Sequence, residues 1–109
     1  MKFNVVYPFI LFGLLVILSS CDKGYEVRFT NYYIEPMDSV VVGNNAIVFK
    51  NVELQKTTDF TKLSKGTYQI RLITTTKKRF YTSLTIPKTG TGKRTIQIDA
   101  ITQMAILEE

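Results

Sequence analysis

Two hydrophobic patterns divide the chain. Val5–Leu18 is an unbroken apolar run of 14 positions, preceded by a single charged side chain, Lys2. From Tyr25 onward the apolar residues come in short groups rich in Val, Ile, Thr, Tyr and Phe, parted by turn signals at intervals of roughly 8 to 15 residues. Alternation is plainest after Gly66, where Tyr68, Ile70 and Leu72 fall on one face and Gln69 and Arg71 on the other, as a half-buried strand requires. The pattern predicts strands at Glu26–Tyr33, Ser39–Val42, Ala46–Phe49, Thr57–Leu63, Thr67–Thr75, Phe80–Ile86, Arg94–Ala100 and Gln103–Leu107. Gly43-Asn44-Asn45 and Ser64-Lys65-Gly66 supply turns, because Gly and Asn tolerate positive φ. No segment after Cys21 keeps a helical period over three turns. The expected fold class is all-β, a small antiparallel sandwich of seven or eight strands over 26–109.

The first run is too short for a comfortable membrane span, since about 30 Å of hydrocarbon takes about 20 apolar residues. A basic start, an apolar middle and a small-residue end give instead the layout of a cleaved, helical signal peptide over 1–20. Its end, Leu18-Ser19-Ser20-Cys21, resembles the lipobox of bacterial lipoproteins in all four positions. That resemblance implies a diacylglycerol-bearing Cys21 at the start of the mature chain, with 21–25 as a short tether. Two or more acyl chains, at about 0.8 kcal/mol per buried CH₂, give stable attachment where one chain does not. Cys21 is also the chain's only cysteine, and a lone exported thiol would otherwise be a liability.

Ser64-Lys65-Gly66-Thr67-Tyr68-Gln69-Ile70 resembles the tyrosine corner of immunoglobulin-like sandwiches, whose Tyr hydroxyl bonds back to the chain a few residues upstream. Ile70 stands where such domains carry their second Cys, so packing replaces the staple. More broadly, 27–98 resembles an uncharacterised family of small immunoglobulin-like domains in bacterial envelope proteins, through Val27-Arg28-Phe29-Thr30-Asn31, Pro36, Val40, Val42, Gly43, Leu63, Gly66, Tyr68, Ile70, Leu84, Ile86, Gly92 and Ile96. The resemblance implies a fold and brings no catalytic residues. Together with the lipobox and a Lys/Asn/Thr-rich composition, the chain looks like small lipoproteins of Bacteroidota-type bacteria. Asp22 resembles the inner-membrane retention signal of enteric bacteria, while the acidic run tied to surface export in Bacteroidota is broken at Lys23-Gly24; the outer membrane is the expected address, ahead of the inner one.

Composition narrows the chemistry. The chain has no His, which removes Ser-His-Asp triads, Cys-His dyads and imidazole metal sites. Gly90-Thr91-Gly92-Lys93 is not a phosphate loop: Pro87 and Arg94 occupy places that need Gly and Ser or Thr, and no helix follows. Asp38, Asp59 and Asp99 are scattered, with neither a calcium spacing nor a sequence-local pair for glycoside hydrolysis. The expectation is a non-enzyme without cofactor or metal. Asp38-Ser39-Val40 matches the short O-glycosylation pattern of Bacteroidota, which makes Ser39 a candidate acceptor.

Removal of 1–20 takes Lys2 with it and lowers the net charge from +5 to +4. Four extended residues reach at most about 14 Å, so the domain would sit close to the headgroups. If successive strands alternate in direction, the turns at Gly43–Asn45, Ser64–Gly66 and Pro87–Lys93 face the membrane, and those at Ile34–Asp38, Lys50–Lys56 and Thr76–Arg79 face away. The near rim then holds Lys23, Lys65, Lys88, Lys93 and Arg94 against only Asp22 and Glu26. The far end holds Tyr32, Tyr33, Ile34 and Met37 beside Lys77, Lys78 and Arg79, a mixture typical of protein interfaces. Lys77-Lys78-Arg79 before Phe80-Tyr81 also has the make-up of a nucleic-acid patch, but an exported domain does not meet nucleic acid, and a solvated hairpin tip fits better. The expected partners are the membrane through the anchor, and another envelope protein; a glycan stacked on Tyr32, Tyr33 or Tyr81 is the alternative.

Overall fold

The computed structural model describes residues 24–109; Cys21, Lys23, the signal segment and Asp22 lie outside the described residues. Eight strands form: β1 (Tyr25–Asn31), β2 (Met37–Val42), β3 (Ile47–Val52), β4 (Thr61–Leu63), β5 (Gly66–Thr74), β6 (Arg79–Ile86), β7 (Gly92–Ile98) and β8 (Met104–Glu108). They make two four-stranded sheets, ordered β4-β1-β7-β8 and β3-β2-β5-β6. The domain is an all-β, immunoglobulin-like sandwich, and no helix occurs among the described residues.

All neighbours in the sheets are antiparallel except β1 and β7, which run parallel in register from Tyr25 opposite Gly92 to Asn31 opposite Ile98. Strand direction alternates all along the chain, since β4 and β8 oppose β1 and β7, while β3 and β5 oppose β2 and β6. Turns at Gly43–Ala46, Ser64–Lys65 and Pro87–Thr91 therefore share the end where β1 begins. The other loops share the opposite end, and with them the 99–103 connection between β7 and β8.

The core follows from the alternation. Val27 and Phe29 of β1 and Ile96 and Ile98 of β7 meet Val40, Val42, Ile70 and Leu72 of the other sheet, all of them buried. Tyr68 closes one end of this core as a corner, donating its hydroxyl to the Ser64 carbonyl at 2.9 Å and lying 3.3 Å from that of Lys65. Ile70 is fully buried in the place of the missing cysteine. Gly43 and Asn45 take positive φ in the β2–β3 hairpin, as that turn demands.

Three of the boundaries that differ from the sequence pattern do so for a local reason; β3 also runs on to Val52, and β7 begins and ends two residues early, at Gly92 and Ile98. β1 stops at Asn31 because its Oδ1 accepts from the Tyr33 N–H at 2.9 Å, and such an Asx turn ends an extended run. The Thr57–Leu63 strand is broken: Thr57 bridges Thr30, but pairing resumes with Thr61 opposite Val27, one residue out of step. The extra residue is a bulge on an edge strand, a common way of bending an edge away from intermolecular pairing. β2 begins early, at Met37, because the register against β5 shifts between Met37 and Ser39.

Candidate functional site

The far end is organised by one side chain. Asn31 occupies an inward position on β1 and is fully buried. Its Nδ2 donates to the carbonyls of Glu35 at 3.0 Å and Val52 at 3.1 Å, while Oδ1 takes the Tyr33 N–H. Its backbone N–H donates to Lys56 and its carbonyl accepts from Gln55. Two loops, 32–36 and 53–60, are thus tied to a single point. The end of β7, from which the 99–103 loop leaves, joins them through the Tyr32 N–H, which donates to the Ile98 carbonyl at 3.0 Å. That third loop is fixed internally by Asp99, whose Oδ1 accepts from the N–H groups of Ile101 and Gln103.

These three loops carry four of the seven large exposed apolar residues among the described ones: Tyr32 (43% exposed), Ile34 (61%), Leu54 (39%) and Ile101 (70%). Large apolar side chains held out on rigid loops mark an interaction surface more strongly than scattered ones do. Two members of the expected far-end set are corrected. Tyr33 is buried, with its ring edge-on to Phe80 at 5.3 Å, and Met37 is fully buried. The β2 bulge turns Met37 inward, and the Asx turn folds Tyr33 under the loop, so neither is available to a partner.

The basic members of the set are exposed but locally balanced. Lys78 pairs with Glu35 at 2.9 Å, and Lys77 approaches Asp38 at 3.9 Å. A hydrogen bond from Thr76 Oγ1 at 2.6 Å and the Lys78 ammonium hold the Glu35 carboxyl below its ordinary value, and Glu35 in turn raises Lys78. The stabilisation is complete above the ordinary carboxyl value of 4.5 and fades as the pH falls through the lowered folded value. Urea midpoints of wild type and Glu35→Gln should therefore differ at pH 7 and converge at about pH 2; an unchanged gap at both would show that the charge is not what stabilises this corner. Arg79, in contrast, points from the outer face of β6.

At the end where β1 begins, a cleft of about 590 Å³ opens between the sheets, lined by Tyr25, Lys62, Leu63, Lys65, Ile86 and Lys88 among others. Lys65 and Lys88 are exposed there, and Lys62 joins them, a cation that its place on a three-residue edge strand hid from the sequence pattern. Lys93 and Arg94 are at the same end but lie over rings, Lys93 at 4.8 Å from Phe60 and Arg94 at 5.0 Å from Tyr25. The charge balance of this rim also needs correction, because β8 returns Glu108 and Glu109 to it. Glu109 accepts from Thr95 Oγ1 and pairs with Arg28 at 3.1 Å; Thr95 first and Arg28 second lower its carboxyl. Gly90 and Gly92 serve packing in this region: a Cβ on Gly92 would lie 2.9 Å from the Tyr25 ring, and one on Gly90 3.1 Å from its hydroxyl.

Ser39 lies in β2, an interior strand of its sheet, half-buried on the outer face opposite Lys50 and Ile73. The aspartates are dispersed: Asp38 faces Lys77, Asp99 caps its own loop, and Asp59 sits exposed in the β4 bulge. Among the described residues no three metal-ligating side chains gather at one point, and no helix is long and apolar enough to cross a membrane. Set against protein-family models, curated proteins and solved structures, the chain finds no match in any of the three.

Sequence reasoning reached Tyr32 and Ile34 and missed Leu54, Ile101 and Asn31 as parts of the same site. Leu54 and Ile101 are single apolar residues in polar loops, without a period to mark them. Asn31 did leave a signal: Val27, Phe29 and Asn31 share one phase of alternation, so a polar side chain falls on a core position, where it must be hydrogen-bonded.

Proposed function

We propose that this chain is a non-enzymatic envelope lipoprotein, anchored by acyl chains on Cys21 in the outer membrane, whose domain binds another envelope protein through its far-end tip. The observation that carries the reading is the tip itself: four exposed apolar side chains on three pinned loops, at the end opposite the one where β1 leaves the tether. A tethered domain meets partners most readily with its distal loops, and aromatic and aliphatic anchors ringed by polar groups suit a protein interface. Glu35, Lys77 and Lys78 supply such a ring. At the other end, Lys65 and Lys88 are positioned to touch anionic headgroups, each worth about 1 kcal/mol close to such a surface. Glu26, Glu108 and Glu109 temper that attraction, so the acyl chains hold the protein and the lysines bias its tilt.

A photo-crosslinking residue at Ile34 or Ile101, with Leu107 as the control on the outer face of the other end's β8, tests the reading in membranes. Discrete adducts of one mass from both tip positions, and none from Leu107, are expected. Equal labelling from all three positions, or none from the tip, overturns it.

A further inference from the structure

We infer that the outer face of the β3-β2-β5-β6 sheet is a binding site for an acidic oligosaccharide, with Tyr81 as the stacking platform and Arg71 as the carboxylate ligand. This face is separate from the tip and does not depend on it.

The register sets the arrangement. Val48, Val41, Arg71 and Tyr81 lie side by side in one row across all four strands. Directly opposed residues have Cβ atoms about 4.5–5.5 Å apart, so the Arg71 and Tyr81 side chains leave the sheet next to each other, and both line one depression. Tyr81 is half exposed, on a face where polar or small side chains prevail. The next row toward the far end holds Lys50, Ser39, Ile73 and Arg79.

Charge is the first argument for the ligand. The outward positions of the four strands carry Lys50, Arg71 and Arg79 and no carboxylate; Asp38 sits at the bulge and faces Lys77. Among the described residues none of these three cations has an ion pair or a side-chain hydrogen bond. On the opposite sheet, by contrast, Arg28 is satisfied by Glu109 and Thr95. Three unsatisfied cations on one face, two of them guanidinium forks suited to bidentate carboxylate recognition, fit an anionic ligand.

Shape is the second. Tyr81 lines two adjoining depressions, which also share Thr67 and Gln69. One, of about 490 Å³, is lined by Asn44, Gln69, Arg71 and Tyr81 among others; the second, of about 560 Å³, by Gln69, Thr82 and Ser83 with Tyr81 again. Both are open to solvent, so an extended ligand can lie across them. An exposed aromatic ring bordering two adjoining hollows suits a chain of linked rings, because a pyranose offers one C–H-rich face for stacking and hydroxyls at its edge. Amide and hydroxyl groups, from Asn44, Gln69 and Ser83, are what those hydroxyls need. A bare polyanion would have no use for the ring, and a neutral glycan none for the three cations.

The test is calorimetric titration of the full chain in nonionic detergent with a galacturonic acid hexamer, its methyl-esterified neutral counterpart and a glutamate hexapeptide. The acidic hexamer should bind, and the other two should bind at least roughly tenfold more weakly. Tyr81→Ala and Arg71→Gln should each weaken the acidic hexamer at least roughly tenfold without moving the thermal midpoint, since both side chains are exposed, whereas Lys65→Ala should leave it unchanged. No binding of the acidic hexamer, equal binding of the peptide or the ester, or indifference to both face variants overturns the proposal. So does loss of binding in Lys65→Ala, which would move the site to the near-end cleft.

Discussion

Asn31→Ala is expected to destabilise the domain by about 3–5 kcal/mol, because two buried backbone groups and one part-buried one lose their partner together and each costs about 1–3 kcal/mol when left unpaired. The groups are the carbonyls of Glu35 and Val52 and the N–H of Tyr33. Every buried side-chain polar atom among the described residues now has a partner, so the variant creates a defect where none exists. A domain of this size has about 5–15 kcal/mol of stability at most, and its midpoint shifts by about 4–8 °C per kcal/mol. Thermal unfolding followed by circular dichroism should show a drop of roughly 12–40 °C. A drop below about 5 °C would mean that water takes over the three bonds and that Asn31 does not organise the tip. Asn31→Asp is a stricter variant: it keeps the acceptor for Tyr33 but turns both donors into acceptors facing carbonyls.

Gly43→Ala is expected to cost about 2–4 kcal/mol, far more than its one added methyl would suggest. Its φ is +63°, a conformation that costs an L-residue roughly 1–2 kcal/mol. The added Cβ would also stand 2.8 Å from Tyr68 Cδ1, and forced overpacking adds about 1–3 kcal/mol. The ring has no easy retreat, since its hydroxyl is held by Ser64 and Lys65 at the corner. A double-mutant cycle with Tyr68→Ala separates the two causes, for it removes the clash and leaves the backbone strain. A coupling of at least about 1 kcal/mol is expected; additivity would show that backbone conformation alone requires glycine there.

Local periodicity made most of the fold legible, and what it missed came from contacts distant in sequence. β5 alternates so cleanly that its faces can be read from Tyr68 to Leu72, and the hairpin at Gly43 announces itself by composition. The corner was legible too, from the spacing of Gly66 and Tyr68. The pairing of β1 with β7 was not, because two alternating strands with about 60 residues between them carry no mark of being neighbours. Bulges caused two of the errors, one shifting the phase between Met37 and Ser39 and burying Met37, the other cutting Thr57–Leu63 to three residues, and the Asx turn at Asn31 caused a third by burying Tyr33. The tip was legible in part: alternation of strand direction put the Ile34–Asp38 and Lys50–Lys56 turns at one end, but nothing in the sequence marked Leu54 or Ile101 as exposed members of it.

The place of β1 in its sheet has a mechanical consequence. It is an interior strand, bonded to β4 on one side and parallel to β7 over seven register pairs on the other. A pull between the chain entering at Gly24 and a partner held at the far end runs along the strands, across the direction of those hydrogen bonds. The load then falls on the whole β1–β7 ladder in shear, so its bonds must yield together rather than peel one after another, and the first strand is the one hardest to draw out.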